Sequence, residues 1–285
     1  MTTTAGTVTD WEKAEIDRAN ESGLTPVTFV HGLWLLSSSW QQWRDLFEAN
    51  DFITIAPGWP DDPDTVQEAH EDPSVFAHKM VQGVTDHYLE AISLLDRKPA
   101  VIGHSFGGLI AQRISGGGVA AVTVAIDNAP FKGVLPLPVS ALKSASPVLR
   151  NPANRSKAVT LTLEQFTYGW TNKLDEPESA ELYEKYHVAA PGAPLFQAAV
   201  ANFNILGGET RVDSKNPDRG PLLIIAGEAD NTVPLAITEA TYKIQSKNPG
   251  LTEIVTVPNR GHSLTIDHGW REVAQLALTF VNRFC

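Results

Sequence analysis

Apolar residues fall along this chain in short dense runs, and the stretches between them carry helical spacing. "PVTFV" (26–30), "FITIA" (52–56), "PAVIG" (99–103), "AVTVAI" (121–126), "PLLIIA" (221–226) and "TEIVTV" (252–257) are rich in Val and Ile. Several are apolar throughout instead of alternating, which is the pattern of strands covered on both faces. Between them, "SSSWQQWRDLFEAN" offers serine caps and places Trp40, Trp43, Leu46 and Phe47 at helical spacing. "FAHKMVQGVTDHYLEAISLLD" and "FGGLIAQRIS" also read as helices. The last such stretch, "GWREVAQLALTFVNRF", aligns Trp270, Val273, Leu276, Ala277 and Phe280 on one stripe. Strand–helix–strand alternation predicts an α/β protein with a mostly parallel central sheet and helices on both faces.

The alternation stops between about residues 131 and 205. "PFKGVLPLPVSALKSASPVLRNPANRSKA" is Pro-rich, and "LTLEQFTYGW", "EPESAELYEKYHVAA" and "APLFQAAVANFN" read as helical. No convincing strand stands out there. The expected organisation is a polar, helical N-terminal segment (1–24), a core from residues 25–130 and 206–285, and an inserted helical cap (131–205).

Composition narrows the class. Of 285 residues, 42% are apolar and 19% charged, enough for a sizeable core. A net charge of −11 disfavours nucleic acid as a partner. The apolar runs are strand-length, far short of the roughly 20 residues that span a bilayer, so no membrane partner is expected. Cys285 is the only cysteine, so no intrachain disulfide can form. "MTTTAGTVTDWEKAEIDRANESG" has neither the basic nor the apolar region of a signal peptide, and the chain reads as cytoplasmic.

The chemistry enters at "VIGHSFGG". Gly103-His104-Ser105-Phe106-Gly107 is a G-x-S-x-G pattern between an expected strand and an expected helix, the context of a nucleophile elbow. Glycines there allow a sharp turn that holds Ser105 clear at the carboxyl end of its strand. A serine hydroxyl needs a base. Of eight histidines, His262 in "VPNRGHSLTID" follows the last strand, at the same sheet edge as Ser105. His104 adjoins Ser105, with a side chain expected to point away from the site. His31 reads as a packing or loop-bonding residue. His70, His78, His87, His187 and His268 lack a comparable placement, and no metal-ligand spacing is present. The base needs an orienting carboxylate, and Asp230 in "LLIIAGEADNTVP" is favoured over Glu228 and Asp127. Ser105, Asp230 and His262 each follow a different strand. The backbone N–H groups of Leu33, in "FVHGLW", and Phe106 are the expected oxyanion donors. Trp34, Phe106, Phe131, Trp170 and Phe196 are candidates for an apolar pocket, with core packing the competing role for each.

These pieces resemble the α/β-hydrolase superfamily: "VHGLW" for the oxyanion loop, "GHSFGG" for the elbow, "GEADNTVP" for the acid loop and "NRGHSLT" for the base loop. The likeness is greatest to its serine-nucleophile esterase and haloperoxidase-like group with a helical cap. It implies an α/β-hydrolase fold, a covalent acyl-enzyme and no metal or organic cofactor. The implied partner is a small acyl substrate: an ester, lactone or related compound. A perhydrolase, haloperoxidase-like or lyase reaction on the same residues stays open, as does a non-catalytic ligand-binding role. Two departures matter. Family members often begin with an antiparallel hairpin, whereas this chain begins with a helical pattern. The hairpin is therefore expected to be reduced or missing, leaving a sheet edge that a dimer partner or, preferably, the N-terminal helix covers. A monomer and a homodimer both remain compatible. The nucleophile is also Ser and not Asp, which argues against haloalkane dehalogenase and epoxide hydrolase chemistry.

Overall fold

A computed structural model describes residues 7–203 and 208–285. The boundary expected at 205/206 and residues 1–6 of the N-terminal segment lie outside that range. Six strands form one sheet: β1 (Thr25–Val30), β2 (Phe52–Ile55), β3 (Ala100–His104), β4 (Val122–Ile126), then, beyond a long insertion, β7 (Leu222–Gly227) and β8 (Thr252–Val257). Their order is β2-β1-β3-β4-β7-β8, and every pairing is parallel. All six apolar runs become strands of this sheet, and four are buried at every position.

Alternate residues feed two cores. On one face Val27, Phe29, Ile102, Val124 and Ile225 pack against α2 (Gln41–Glu48) and α11 (Trp270–Val281). Phe29 stacks on Trp40 at 5.0 Å and meets Trp43 and Phe47 edge-on, an arrangement aromatic quadrupoles favour. On the other face lie α4 (Val81–Ser93), α5 (Phe106–Gly116) and α10 (Leu235–Gln245). The serines before α2 do not cap it. They form a 3-10 turn (Ser37–Trp40), and Ser39 Oγ instead donates back to the Leu36 carbonyl at 2.7 Å.

Among the described residues no antiparallel hairpin precedes β1. The space beside β2 is taken by α1 (Asp10–Ser22), opened by a Thr9–Glu12 capping box. Ile16 and Ala19 pack on Ile53, Ile55 and Ala91. The outward backbone groups of β2 find side-chain partners. Arg18 donates to the Thr54 carbonyl at 2.7 Å, Glu48 accepts the Thr54 N–H at 3.3 Å, and Glu15 accepts the Ala56 N–H at 3.4 Å. Charged side chains thus occupy hydrogen bonds that a further strand would otherwise make.

Between β4 and β7 the chain leaves the sheet as α6 (Val139–Leu149), α7 (Leu163–Gly169), α8 (Glu176–Tyr186) and α9 (Ala193–Val200). The expectation of no strand there needs a correction. β5 (Ala158–Val159) and β6 (Ala190–Pro191) form an antiparallel pair, each only two residues long and too short to leave a period in the sequence. The insertion is tied to the core through Trp34, whose Nε1–H donates to the Val159 carbonyl at 3.0 Å and whose own carbonyl accepts from Val188 at 3.1 Å.

His187, at the end of α8, is buried, stacks on Tyr183 and accepts the Leu161 N–H on Nε2 at 3.3 Å. Burial, and then the neighbouring His70, push its pKa down to about 4. The folded protein therefore holds His187 neutral, while the unfolded chain protonates it near pH 6.5. This stabilising contribution is full above that value and is lost as pH falls toward 4, by about 3 kcal/mol at most. Urea titrations of wild type and His187→Gln at about pH 7 and pH 4.5 should show the gap in pH sensitivity. Equal pH dependence of the two proteins would contradict it.

Candidate active site

β3 runs straight into α5, and Ser105 is the turn between them. Its backbone sits at φ 58°, ψ −122°, a conformation that costs L-residues energy and persists only when neighbours fix it. The fixing contacts are backbone hydrogen bonds. Ser105 N–H donates to the Ile126 carbonyl at 2.9 Å, and its own carbonyl accepts from Gly108, Leu109 and Ala129. Gly107 makes the turn possible, because a Cβ there would stand 2.1 Å from the Val30 carbonyl oxygen of β1.

His262, in the loop after β8, reaches Ser105. Its Nε2 lies 3.0 Å from Ser105 Oγ and its Nδ1 lies 2.6 Å from Asp230 Oδ2. A carboxylate facing Nδ1 places the ring proton there, so Nε2 is left to accept the Ser105 hydroxyl proton. Asp230 is fixed in turn: its Oδ1 accepts the N–H groups of Thr232 at 2.6 Å and Val233 at 2.9 Å. The structure therefore brings Ser105, His262 and Asp230 into one buried hydrogen-bonded array. Glu228 is exposed and accepts from the Asn259 N–H at 2.8 Å.

The loop after β1 supplies the opposite wall. A Cβ on Gly32 would come within 2.8 Å of Ser105 Cβ, so the backbone at 32–33 runs directly beside Ser105. Among the described residues, neither the Leu33 N–H nor the Phe106 N–H is committed to another group. The Phe106 N–H also belongs to the first turn of α5, where the helix dipole favours negative charge. His31 holds this loop from below. Its Nδ1 is 2.9 Å from the Gly32 carbonyl and its Nε2 is 3.2 Å from Asp62, which also pairs with buried Lys79.

A cavity of about 150 Å³ opens on Ser105 between the core and the insertion. Trp34, Phe106 and Val233 line it from the core, and Leu142, Leu149 and Leu195 from the insertion. Among the described residues, no charged side chain lines it. Of the five aromatics expected to line a pocket, Trp34 and Phe106 border this cavity. Phe131 and Trp170 are buried in the core, and Phe196 packs against that core. Trp170 instead stands edge-on to His262 at 4.7 Å.

The expectation that His104 points away from the site is corrected. Its ring lies 4.6 Å from the His262 ring, fully buried, and does not line the cavity. Burial, and then the charge of His262, drive its pKa well below the usual range. Asp127, which follows β4 and reads in the sequence as a rival to Asp230, is also buried here. Ligand atoms of His104, Asp127 and His262 fall within 4.8 Å of one another, but both nitrogens of His262 already face Asp230 and Ser105.

The sequence pattern of the alpha/beta hydrolase family matches residues 29–276. The chain belongs to that family. Solved α/β-hydrolases share its fold. A monoacylglycerol lipase from Paleococcus ferrophilus has a TM-score of 0.64 at 18% identity, covering 91% of this chain and 95% of the lipase. A thermophilic esterase from Thermogutta terrifontis gives 0.61 at 17%, with 91% and 90% covered. A candidate non-heme bromoperoxidase from Mycobacterium tuberculosis gives 0.61 at 16%, with 91% of each chain covered. No curated protein matches this α/β-hydrolase by sequence. No helix among its described residues is long and apolar enough to cross a membrane.

Proposed function

We propose that this α/β-hydrolase cleaves a small, uncharged carboxylic ester, lactone or related acyl compound through a covalent acyl-enzyme on Ser105. The observation that carries the reading is the double engagement of His262, by Ser105 Oγ at 3.0 Å and Asp230 Oδ2 at 2.6 Å. In the proposed reaction His262 Nε2 takes the hydroxyl proton as Ser105 Oγ bonds to the carbonyl carbon. The Leu33 and Phe106 N–H groups hold the resulting oxyanion, each worth about 10² to 10³ in rate. Collapse breaks the bond to the leaving oxygen, which receives the proton from His262. A water then gives its proton to His262 and attacks the acyl carbon, releasing the acid and restoring Ser105. Asp230 keeps the imidazole in the required tautomer and stabilises its charged form. The apolar cavity supports an uncharged substrate, since an ion placed there would lose its hydration without gaining a partner. The helical segment between β4 and β7 would act as the cap that screens it.

The test is labelling with a fluorophosphonate, followed by intact mass and peptide mapping. One adduct per chain on the peptide carrying Ser105 is expected, with labelling slowed at least a hundredfold in His262→Ala. An adduct on another residue, or equal labelling of the variant, would count against the reading.

A further inference from the structure

Behind Asp230 stands a second carboxyl group that the proposed reaction does not use. Asp127 follows β4 with a backbone φ of 39° and is fully buried. Its Oδ1 accepts the Gly227 N–H at 2.7 Å, and the carbonyl of the same Gly227 accepts the Asp230 N–H at 3.3 Å. One residue thus fixes both acids, and both carboxyl groups crowd one ring: a ligand oxygen of Asp127 lies within 4.8 Å of a His262 nitrogen, and Asp230 Oδ2 lies 2.6 Å from His262 Nδ1. The other oxygen of Asp127, Oδ2, receives no donor.

The two acids are unequally provided for. Asp230 accepts three donors: the Thr232 and Val233 N–H groups and His262 Nδ1–H. Asp127 accepts one. The other titratable groups around it offer little charge. His104, at the end of β3, is buried with both ring nitrogens unpartnered and is held neutral. Arg260, in the loop after β8, is already paired with Asp267 and Glu272. His262 directs its Nδ1–H at Asp230. Two carboxyl groups crowded together away from water are costly to ionise at once. The proton goes to the group with fewer donors.

We propose that Asp127 is a neutral carboxylic acid whose Oδ2–H donates to Asp230, making it a positioning residue behind the Ser105–His262–Asp230 array. The bond satisfies the bare oxygen and gives the Asp230 carboxylate a fourth donor. It leaves a single negative charge beside His262. Burial and the Asp230 charge both push the Asp127 pKa well above the ordinary carboxylate range, in the same direction.

This inference rests on the proposed roles of Ser105 and His262, and the experiment separates the two. Ester hydrolysis is measured against pH for wild type, Ser105→Ala, Asp127→Asn and Asp127→Ala. An amide can donate to Asp230 as the acid does. Asp127→Asn is therefore expected to keep kcat/KM within about threefold and leave the acid limb of the profile within a few tenths of a unit. Asp127→Ala, lacking a donor, is expected to lose about tenfold in kcat with KM little changed. If Asp127 carried a charge, Asp127→Asn would remove it and move the acid limb down by about one unit or more, which would overturn the proposal. A Ser105→Ala enzyme as active as wild type would instead remove the reading beneath it. Should the Asp127 variants fail to fold, infrared difference spectra of wild type decide. A carbonyl band of an un-ionised carboxylic acid at neutral pH is required, and its absence overturns the proposal.

Discussion

Replacing Ser105 by Ala is expected to cut ester turnover by about 10⁴ to 10⁶ while leaving the fold unchanged. The size follows from the array's construction. His262 has a single acceptor nitrogen available, and it faces Ser105 Oγ at 3.0 Å, so no second hydroxyl stands in line. The fold is expected to survive because the turn is held by backbone bonds to Ile126, Gly108, Leu109 and Ala129, not by the hydroxyl. Melting temperature and circular dichroism should match wild type. Groups that act as a unit are strongly non-additive, so Ser105→Ala combined with His262→Ala should be no worse than either alone. Purified Ser105→Ala retaining more than a few per cent of wild-type turnover would sink the assignment.

Gly107→Ala should do the reverse, damaging the fold first and activity through it. The added methyl would lie 2.1 Å from the Val30 carbonyl oxygen and 2.6 Å from that of His31. Both are backbone atoms of the segment leading from β1 to Leu33, and neither can rotate aside. Relief requires α5 to lift off β1, at a cost of about 3 kcal/mol or more. For a chain of this size that is a fall in melting temperature of roughly 6–12 °C. The same movement carries the Phe106 N–H away from the Leu33 N–H, so any folded fraction should show a depressed kcat. A variant that melts like wild type would mean that α5 does not rest on β1 as described.

The sheet was legible in the sequence because its strands are buried on both faces, and burial on both faces leaves unbroken apolar runs. The proximity of Ser105, Asp230 and His262 was legible for a related reason. In a parallel sheet, residues that follow strands share one edge, so separate motifs converge without any knowledge of the turns. The features that escaped depend on direction or on very short range. The two-residue pairing of β5 with β6 has no period to detect. His104 reads from the sequence as pointing away from the site, but the loop carrying His262 brings that ring against it. Phe131 and Trp170 illustrate a third limit. Composition marks an aromatic as apolar, and only packing decides whether it borders a cavity or fills the core. Asp127 reads from the sequence only as a rival acid to Asp230, because nothing there discloses that the Asp127 carboxyl and the Asp230 backbone N–H bond the same glycine.

The order of strands also bears on the chain's biosynthesis. Ser105 and its elbow belong to the first half of the chain, while His262 follows 157 residues later. The bond from Gly227 to Asp127 joins positions 100 residues apart, on either side of the insertion. A chain emerging from the ribosome can assemble β1 to β4 and α5 early. Its serine is then an ordinary alcohol, with no imidazole to take its proton. On the proposed reaction, a nucleophile comes into being only when the closing segment lays β7 and β8 along the sheet. By then the helices between β4 and β7 have been made and can cover it. On that proposal the topology would work as a safety catch, keeping the nascent polypeptide chemically inert toward acyl compounds until its shelter is complete.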